Sequence, residues 1–171
     1  MLSENSVIGI IGSGAMGMGI AQVAAAAGHE VSVYDNNEAA LSKAELNLKN
    51  SLNKFLEKQK LTSEQVNAIL SKISFVKSLN KLASSNLIIE AIVENLSIKK
   101  TLFTEIEKIV GADCILATNT SSLSVTSIAS SCTKPQNVIG IHFFNPAVIM
   151  PLVEIIPGIA TDENITTHII T

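Results

Sequence analysis

Short apolar runs alternate with longer runs of helical period along almost the whole chain, and the two patterns separate at turn residues. Residues 7–12 form an apolar run of strand length, and residues 15–27 are small and helical in character, closed by Gly28, a residue suited to a helix C-terminus. Residues 31–34 read as a second strand, stopped by Asp35-Asn36-Asn37. Residues 38–60 carry Leu41, Leu48, Leu52 and Phe55 near helical spacing. "TSEQ" then places Thr62 as an N-cap with Gln65 three residues on, the pattern of a capping box opening another helix. These two helices predict a hairpin that projects from the sheet. Further strands are predicted at 73–76, 87–93, 114–118, 138–144 and 152–156, with a helix over 97–110 and a last helix capped by Asp162. Within 138–144, Val138, Gly140 and His142 share one face and Ile139, Ile141 and Phe143 the other.

Alternation of strand and helix predicts an α/β domain: a doubly wound, mostly parallel sheet with helices on both faces. With 171 residues, 47% of them hydrophobic and 16% charged, the chain suits one domain, 1–171, with a real core. A net charge of −3 and the lack of a basic face argue against nucleic acid. The uncharged stretch 7–28 is long enough to span a bilayer, but glycines at 9, 12, 14, 17 and 19 favour strand, turn and helix instead, so no membrane is expected. Cys114 and Cys132 form no C-x-x-C pair and imply no oxidising compartment, which suits the cytoplasm. His29, His142 and His168 have no metal-ligand spacing, so no metal is expected.

The sharpest local signal is "VIGIIGSGAMGMG", in which Gly12-x-Gly14-x-x-Gly17 follows a strand and opens a helix. In that context Gly12 permits the tight turn, Gly14 lets backbone approach a pyrophosphate, and Gly17 lets helix and strand pack closely. The helix start supplies free N–H groups and a positive dipole end. This makes the sheet Rossmann-type. Asp35 ends the second strand 18 residues after Gly17, where a carboxylate accepts from ribose hydroxyls and repels a 2′-phosphate. With no Arg beside it, NAD is expected rather than NADP.

The later strand ends carry polar clusters on the ligand side of such a sheet: Glu94, Lys99 and Lys100 after 87–93, and Asn119, Ser121 and Ser122 after 114–118. Each also has a bland reading, in which Ser97 caps a helix, the lysines are solvated and "NTSSLS" is a turn with a cap. His142 lies near the end of its strand beside Asn145-Pro146, and Glu154 interrupts the apolar run "PLVEII". A buried Glu is costly unless paired, so a His142–Glu154 pair on adjacent strands is expected, either as a structural ion pair or as an oriented general base.

"EAIVEN" (90–95), "ATNTSSLSVTSIA" (117–129) and "GIHFFNP" (140–146) resemble the L-3-hydroxyacyl-CoA dehydrogenase family, which includes bacterial 3-hydroxybutyryl-CoA dehydrogenases. The resemblance covers essentially the whole chain. It implies reversible, NAD-dependent oxidation of an (S)-3-hydroxyacyl-CoA to a 3-oxoacyl-CoA, in β-oxidation or butanoate metabolism. His142 matches the family's catalytic base, Glu154 its partner, and Ser121 the serine that bonds the substrate oxygen. Gly12, Gly14, Ala15, Met16, Gly17, Asp35, Glu94, Lys99 and Asn119 match cofactor positions. Asn145 matches a position at the nicotinamide or substrate end. Ser51 and Lys58 match contacts to CoA. Family members continue into a helical domain of roughly a hundred further residues, a usual domain size, which closes the cleft and forms most of a homodimer interface. The chain is therefore expected to be the NAD-binding domain without that helical domain, active only weakly alone, with Ile165, Ile169 and Ile170 forming an uncovered apolar face. Two alternatives stay open: another hydroxy-acid dehydrogenase, against which the long helix 38–60 counts, and a non-catalytic NAD-binding protein, which would need no His142, Glu154 or Ser121.

Overall fold

The computed structural model describes residues 6–170. The strands are β1 (Val7–Ile11), β2 (Glu30–Tyr34), β3 (Ile73–Val76), β4 (Leu87–Glu90), β5 (Ile115–Thr118), β6 (Val138–Phe143) and β7 (Val153–Pro157). The helices are α1 (Ala15–Ala26), α2 (Glu38–Glu57), α3 (Ser63–Lys72), α4 (Leu96–Ile106), α5 (Val125–Ala129) and α6 (Glu163–Ile170). The seven strands form one sheet in the order β3-β2-β1-β4-β5-β6-β7. All neighbours are parallel except β6 and β7. β7 runs back because the chain between it and β6 contains no helix that could carry a parallel crossover. The short α5 was not anticipated from the hydropathy pattern; Ser124 caps it by accepting from Ser127 N–H.

Alternation along the strands divides the core in two. Ile8, Ile10, Leu87, Ile89, Ala117, Ile139 and Ile141 pack on one side with α1, α2 and α3. Ile11, Ile88, Leu116 and Val138 pack on the other with Phe103 and Ile106 of α4 and Val125 and Ile128 of α5. Ile165 and Ile169 of α6 are partly buried against the first cluster, so the expectation of an uncovered face there is corrected. The side chain of Ile170 lies outside the described residues.

The expected capping box is present: Thr62 Oγ1 accepts from Gln65 N–H, and Gln65 Oε1 accepts from Thr62 N–H at 2.8 Å. Asn37 caps α2 by accepting from Ala39 and Ala40 N–H. The α2–α3 hairpin is anchored in the core by Leu48, Leu52, Val66 and Ile69, while residues 58–60 at its tip are exposed. The uncharged stretch 7–28 folds as β1, a turn and α1, and among the described residues no helix is long and apolar enough to cross a membrane.

Connections leave β1 toward β2 on one side, and β4 lies on the other, with their helices on opposite faces of the sheet. A crevice therefore opens at the carboxyl ends of β1 and β4. Leu52 is fully buried and Leu46 is 59% exposed on the same helix. Leu52→Ala is expected to lower unfolding free energy in urea by about 2–5 kcal/mol. Leu46→Ala should change it by less than about 0.5 kcal/mol.

Candidate functional site

The turn after β1 is shaped by backbone crowding. Gly12 has φ +110°, and a Cβ there would lie 2.6 Å from the Ala91 carbonyl oxygen. A Cβ on Gly17 would lie 1.9 Å from the Gly12 carbonyl oxygen. Gly14 is different: a Cβ would meet nothing within 4 Å, and the residue caps α1 without a side-chain bond. The first N–H groups of α1 thus face open space. That space is a cleft of about 1140 Å³ whose walls include Gly12, Ser13, Gly14, Ala15, Asp35, Ser51 and Asn145. A small-residue cradle with an uncapped helix start fits the diphosphate of a dinucleotide. Lys43 and Asn47 of α2, which the motifs did not single out, also line it. Gly17 is buried beneath the turn and Met16 packs its side chain against the core. Lys58 lies at the exposed tip of the helical hairpin, away from the cleft walls.

Asp35 closes one end. Its Oδ2 accepts from Ser13 N–H at 2.8 Å and Ser13 Oγ at 2.7 Å, and its Oδ1 accepts from Asn37 N–H at 3.0 Å. Burial acts to raise the carboxyl's pKa, but these bonds outweigh it and hold it below the ordinary value of 3.8.

Beyond β4 and β5 lies a charged cluster. Glu90 and Lys99 are 0% and 1% exposed, with Lys99 Nζ 2.5 Å from Glu90 Oε1 and 3.3 Å from Glu94 Oε2. Glu90 Oε1 also accepts from Ile92 N–H at 2.7 Å, which ends β4 three residues earlier than the apolar run suggested. Glu94 accepts from the hydroxyls of Thr120 and Ser122. Burial raises the pKa of Glu94, but the Thr120 bond, the Lys99 charge and the Ser122 bond together lower it. Lys99, expected at the cofactor, thus has its ammonium enclosed between two carboxylates, of which Glu94 is the part-exposed one. Asn95, not Ser97, caps α4: its Oδ1 accepts from Ile98 N–H at 3.1 Å, and Ser97 Oγ donates to it.

His142 and Glu154 are register partners across β6 and β7, and His142 Nδ1 lies 2.8 Å from Glu154 Oε2. The expected pair is therefore formed, but not for the expected reason. Glu154 is 51% exposed, so no burial penalty demands a partner for it; that argument applies to Glu90. A carboxylate at Nδ1 keeps the proton there and leaves the Nε2 lone pair available. The Phe144 ring stands 4.6 Å from the imidazole, tilted by 57°. Asn119 Oδ1 accepts from Phe143 N–H at 2.8 Å, tying the end of β5 to the residue after His142. Ser121 is exposed on the intervening loop. His142, Glu154, Ser121, Glu94 and Asn119 are not part of the cleft wall, which comes nearest in sequence to Glu94 at Val93 and to His142 at Asn145. The Asn145–Pro146 peptide bond is cis. Among the described residues no three His, Cys, Asp or Glu side chains are grouped to hold a metal.

A helix start left open at the point where strand order reverses, with an acid at the neighbouring strand end, places the chain in the class of NAD-binding α/β domains. Residues 7–171 match the family model described as the 3-hydroxyacyl-CoA dehydrogenase, NAD binding domain, and the chain belongs to that family. It is 40% identical over 169 residues to the 3-hydroxyadipyl-CoA dehydrogenase of Escherichia coli K12, covering 99% of this chain and 36% of that protein. It is 44% identical over 156 residues to the 3-hydroxybutyryl-CoA dehydrogenase of Clostridioides difficile, covering 91% of this chain and 56% of the relative. The crystal structure of 3-hydroxybutyryl-CoA dehydrogenase from Escherichia coli K12 superposes with a TM-score of 0.94 at 40% identity, over 98% of this chain and 35% of that one. The chain thus spans between about a third and somewhat over half of the length of these relatives.

The depressed carboxyls set an acid limit. Asp35 and Glu94 have folded pKa values below their ordinary 3.8 and 4.5, so their contribution to stability is complete above those values and is lost as pH falls through the folded ones. Thermal midpoints are expected to hold from pH 7 to about 5 and to decline below that. Asp35→Asn should make the decline shallower in a melting series from pH 7 to 2.

Proposed function

We propose that this chain provides the NAD-binding and proton-transfer part of an (S)-3-hydroxyacyl-CoA dehydrogenase. The observation that carries the reading is the His142–Glu154 pair, aligned at 2.8 Å at the cleft end of the sheet. Glu154 accepts from Nδ1, orients the ring and stabilises the imidazolium that forms when Nε2 takes the substrate's 3-hydroxyl proton. Ser121, exposed on the loop between β5 and α5, donates to the same substrate oxygen. NAD, when bound, supplies the acceptor for the hydride that leaves the carbinol carbon. Gly12, Gly14, Ala15, Met16 and Gly17 build its diphosphate cradle, and Asp35 accepts from the adenosine ribose. Glu94, Asn119 and Asn145 border its other half, with Lys99 holding Glu94.

Ser51 on the cleft wall contacts CoA, with Lys58 further out along the same helix. The substrate class is an acyl-CoA with a 3-hydroxyl, as the names of the relatives support. Fatty acid β-oxidation or butanoate metabolism in the cytoplasm, and homodimerisation through a C-terminal helical domain, complete the reading. The domain is a single unit over 1–171 and turns substrate over poorly without that partner domain.

Two measurements test this. The chain is expected to bind NADH at least about tenfold more tightly than NADPH, and Asp35→Ala should abolish the preference. In this domain joined to the remaining segment of the Clostridioides difficile relative, His142→Gln is expected to slow NADH oxidation with acetoacetyl-CoA by about 10²–10⁴-fold. NADH affinity should stay unchanged. Turnover at the parent rate in that variant rules out His142 as the base.

A further inference from the structure

We propose that Glu90 is a positioning residue of this site: without reaching a ligand, it fixes the loop that carries Ser121 and the orientation of Glu94. The inference rests on the reading of that loop and of Glu94 as ligand-facing. Glu90 is fully buried, and its side-chain hydrogen bonds run to the ends of β4 and β5 and to α4. Its Oε1 accepts from Ile92 N–H at 2.7 Å and from Lys99 Nζ at 2.5 Å. Its Oε2 accepts from Thr118 Oγ1 at 2.7 Å, and its carbonyl oxygen accepts from Asn119 N–H at 2.8 Å. One side chain and its own peptide thus join the ends of β4 and β5 to the first turns of α4.

Register places this junction directly beneath the proposed chemistry. Glu90 pairs with Thr118 and Thr118 with Gly140, and His142 lies two residues beyond Gly140 on the same face of β6. Contacts then run outward without a break. Lys99 divides its charge between Glu90 and Glu94, and Glu94 accepts from Thr120 and Ser122, the two neighbours of Ser121. Buried ion pairs can commonly be replaced by apolar groups without loss of stability, so stability alone gives no reason for a carboxylate here. Partition of the Lys99 charge does. With Glu90 replaced by a neutral side chain, the buried ammonium has, among the described residues, only Glu94 left as an ionic partner, draws its carboxylate inward and releases Thr120 and Ser122.

A double-mutant cycle on this chain tests the proposal. NADH affinity and amide exchange at residues 119–123 are measured for the parent, Glu90→Gln, Glu94→Gln and the double variant. Glu90→Gln is expected to weaken NADH binding about tenfold and to speed exchange across the loop. The double variant should bind no more weakly than Glu94→Gln alone, because Glu90 acts through Glu94. Losses that multiply, or a Glu90→Gln variant within twofold of the parent in both readouts, overturn the proposal. Where Glu90→Gln does not fold, Glu90→Asp, which keeps the charge, takes its place in the cycle, and failure of both to fold also overturns it. If the parent fails to bind NADH, or Glu94→Gln binds it like the parent, the functional reading fails instead. Loop exchange then decides the positioning role alone.

Discussion

Everything at the ligand end of this domain depends on how closely three pieces of backbone approach one another. The carbonyl of Gly12 lies where a Cβ on Gly17 would be, and the carbonyl of Ala91 lies close to where a Cβ on Gly12 would be. Turn, helix and neighbouring strand end therefore meet with no side chains between them. That contact brings α1 low over β1, and Gly14 at the N-cap supplies no side chain to cover the helix start. A dipole end and its free N–H groups have value for an anion only when nothing covers them. The same crowding that fixes the turn thus creates the opening beside it.

Polarity is distributed around this opening in two ways. On the β2 side the carboxylate of Asp35 is held by bonds from Ser13 and Asn37, so it is presented in one geometry and stays ionised. On the β4 and β5 side the charges are stacked in depth: Glu90 fully enclosed, Lys99 above it, Glu94 part-exposed. Such an arrangement requires the inner charge to be fully bonded, because a half-satisfied carboxylate in the core is strongly destabilising. Ile92, Thr118 and Lys99 meet that requirement: the first two lie where the chain leaves the sheet, and Lys99 reaches in from the first turn of α4.

Much of this was legible in the sequence because it is local. The glycine spacing, the acid at the end of β2, the capping box at Thr62 and the strand and helix periods each depend on residues within one turn or one strand. The antiparallel return of β7 follows from the lack of a helix before it. The Glu90 network is harder to see in the sequence, although a carboxylate inside "LIIEAIV" carries the burial cost that the apolar run around Glu154 suggests there. The apolar run around Glu90 reads as one strand to Val93, whereas its own side chain captures Ile92 N–H and stops the strand. The burial of Lys99 is hidden in the sequence for a related reason. Nine residues separate it from Glu90, and only the packing of α4 on the sheet shows that its stem runs inward.

The direct return from β6 to β7 has a consequence for the order in which the molecule comes together. Phe143 pairs with Val153 across 10 residues, whereas Ile8 pairs with Leu87 across 79. Closure entropy grows with the length of chain enclosed, and nearby contacts form sooner than distant ones. His142 and Glu154 belong to the most local pairing in the sheet, which needs nothing from the first half of the chain. The crevice needs β1 and β4 to meet. The imidazole and its carboxylate thus sit on the pairing that encloses the least chain, and the dinucleotide cleft beside them depends on the pairing that encloses the most.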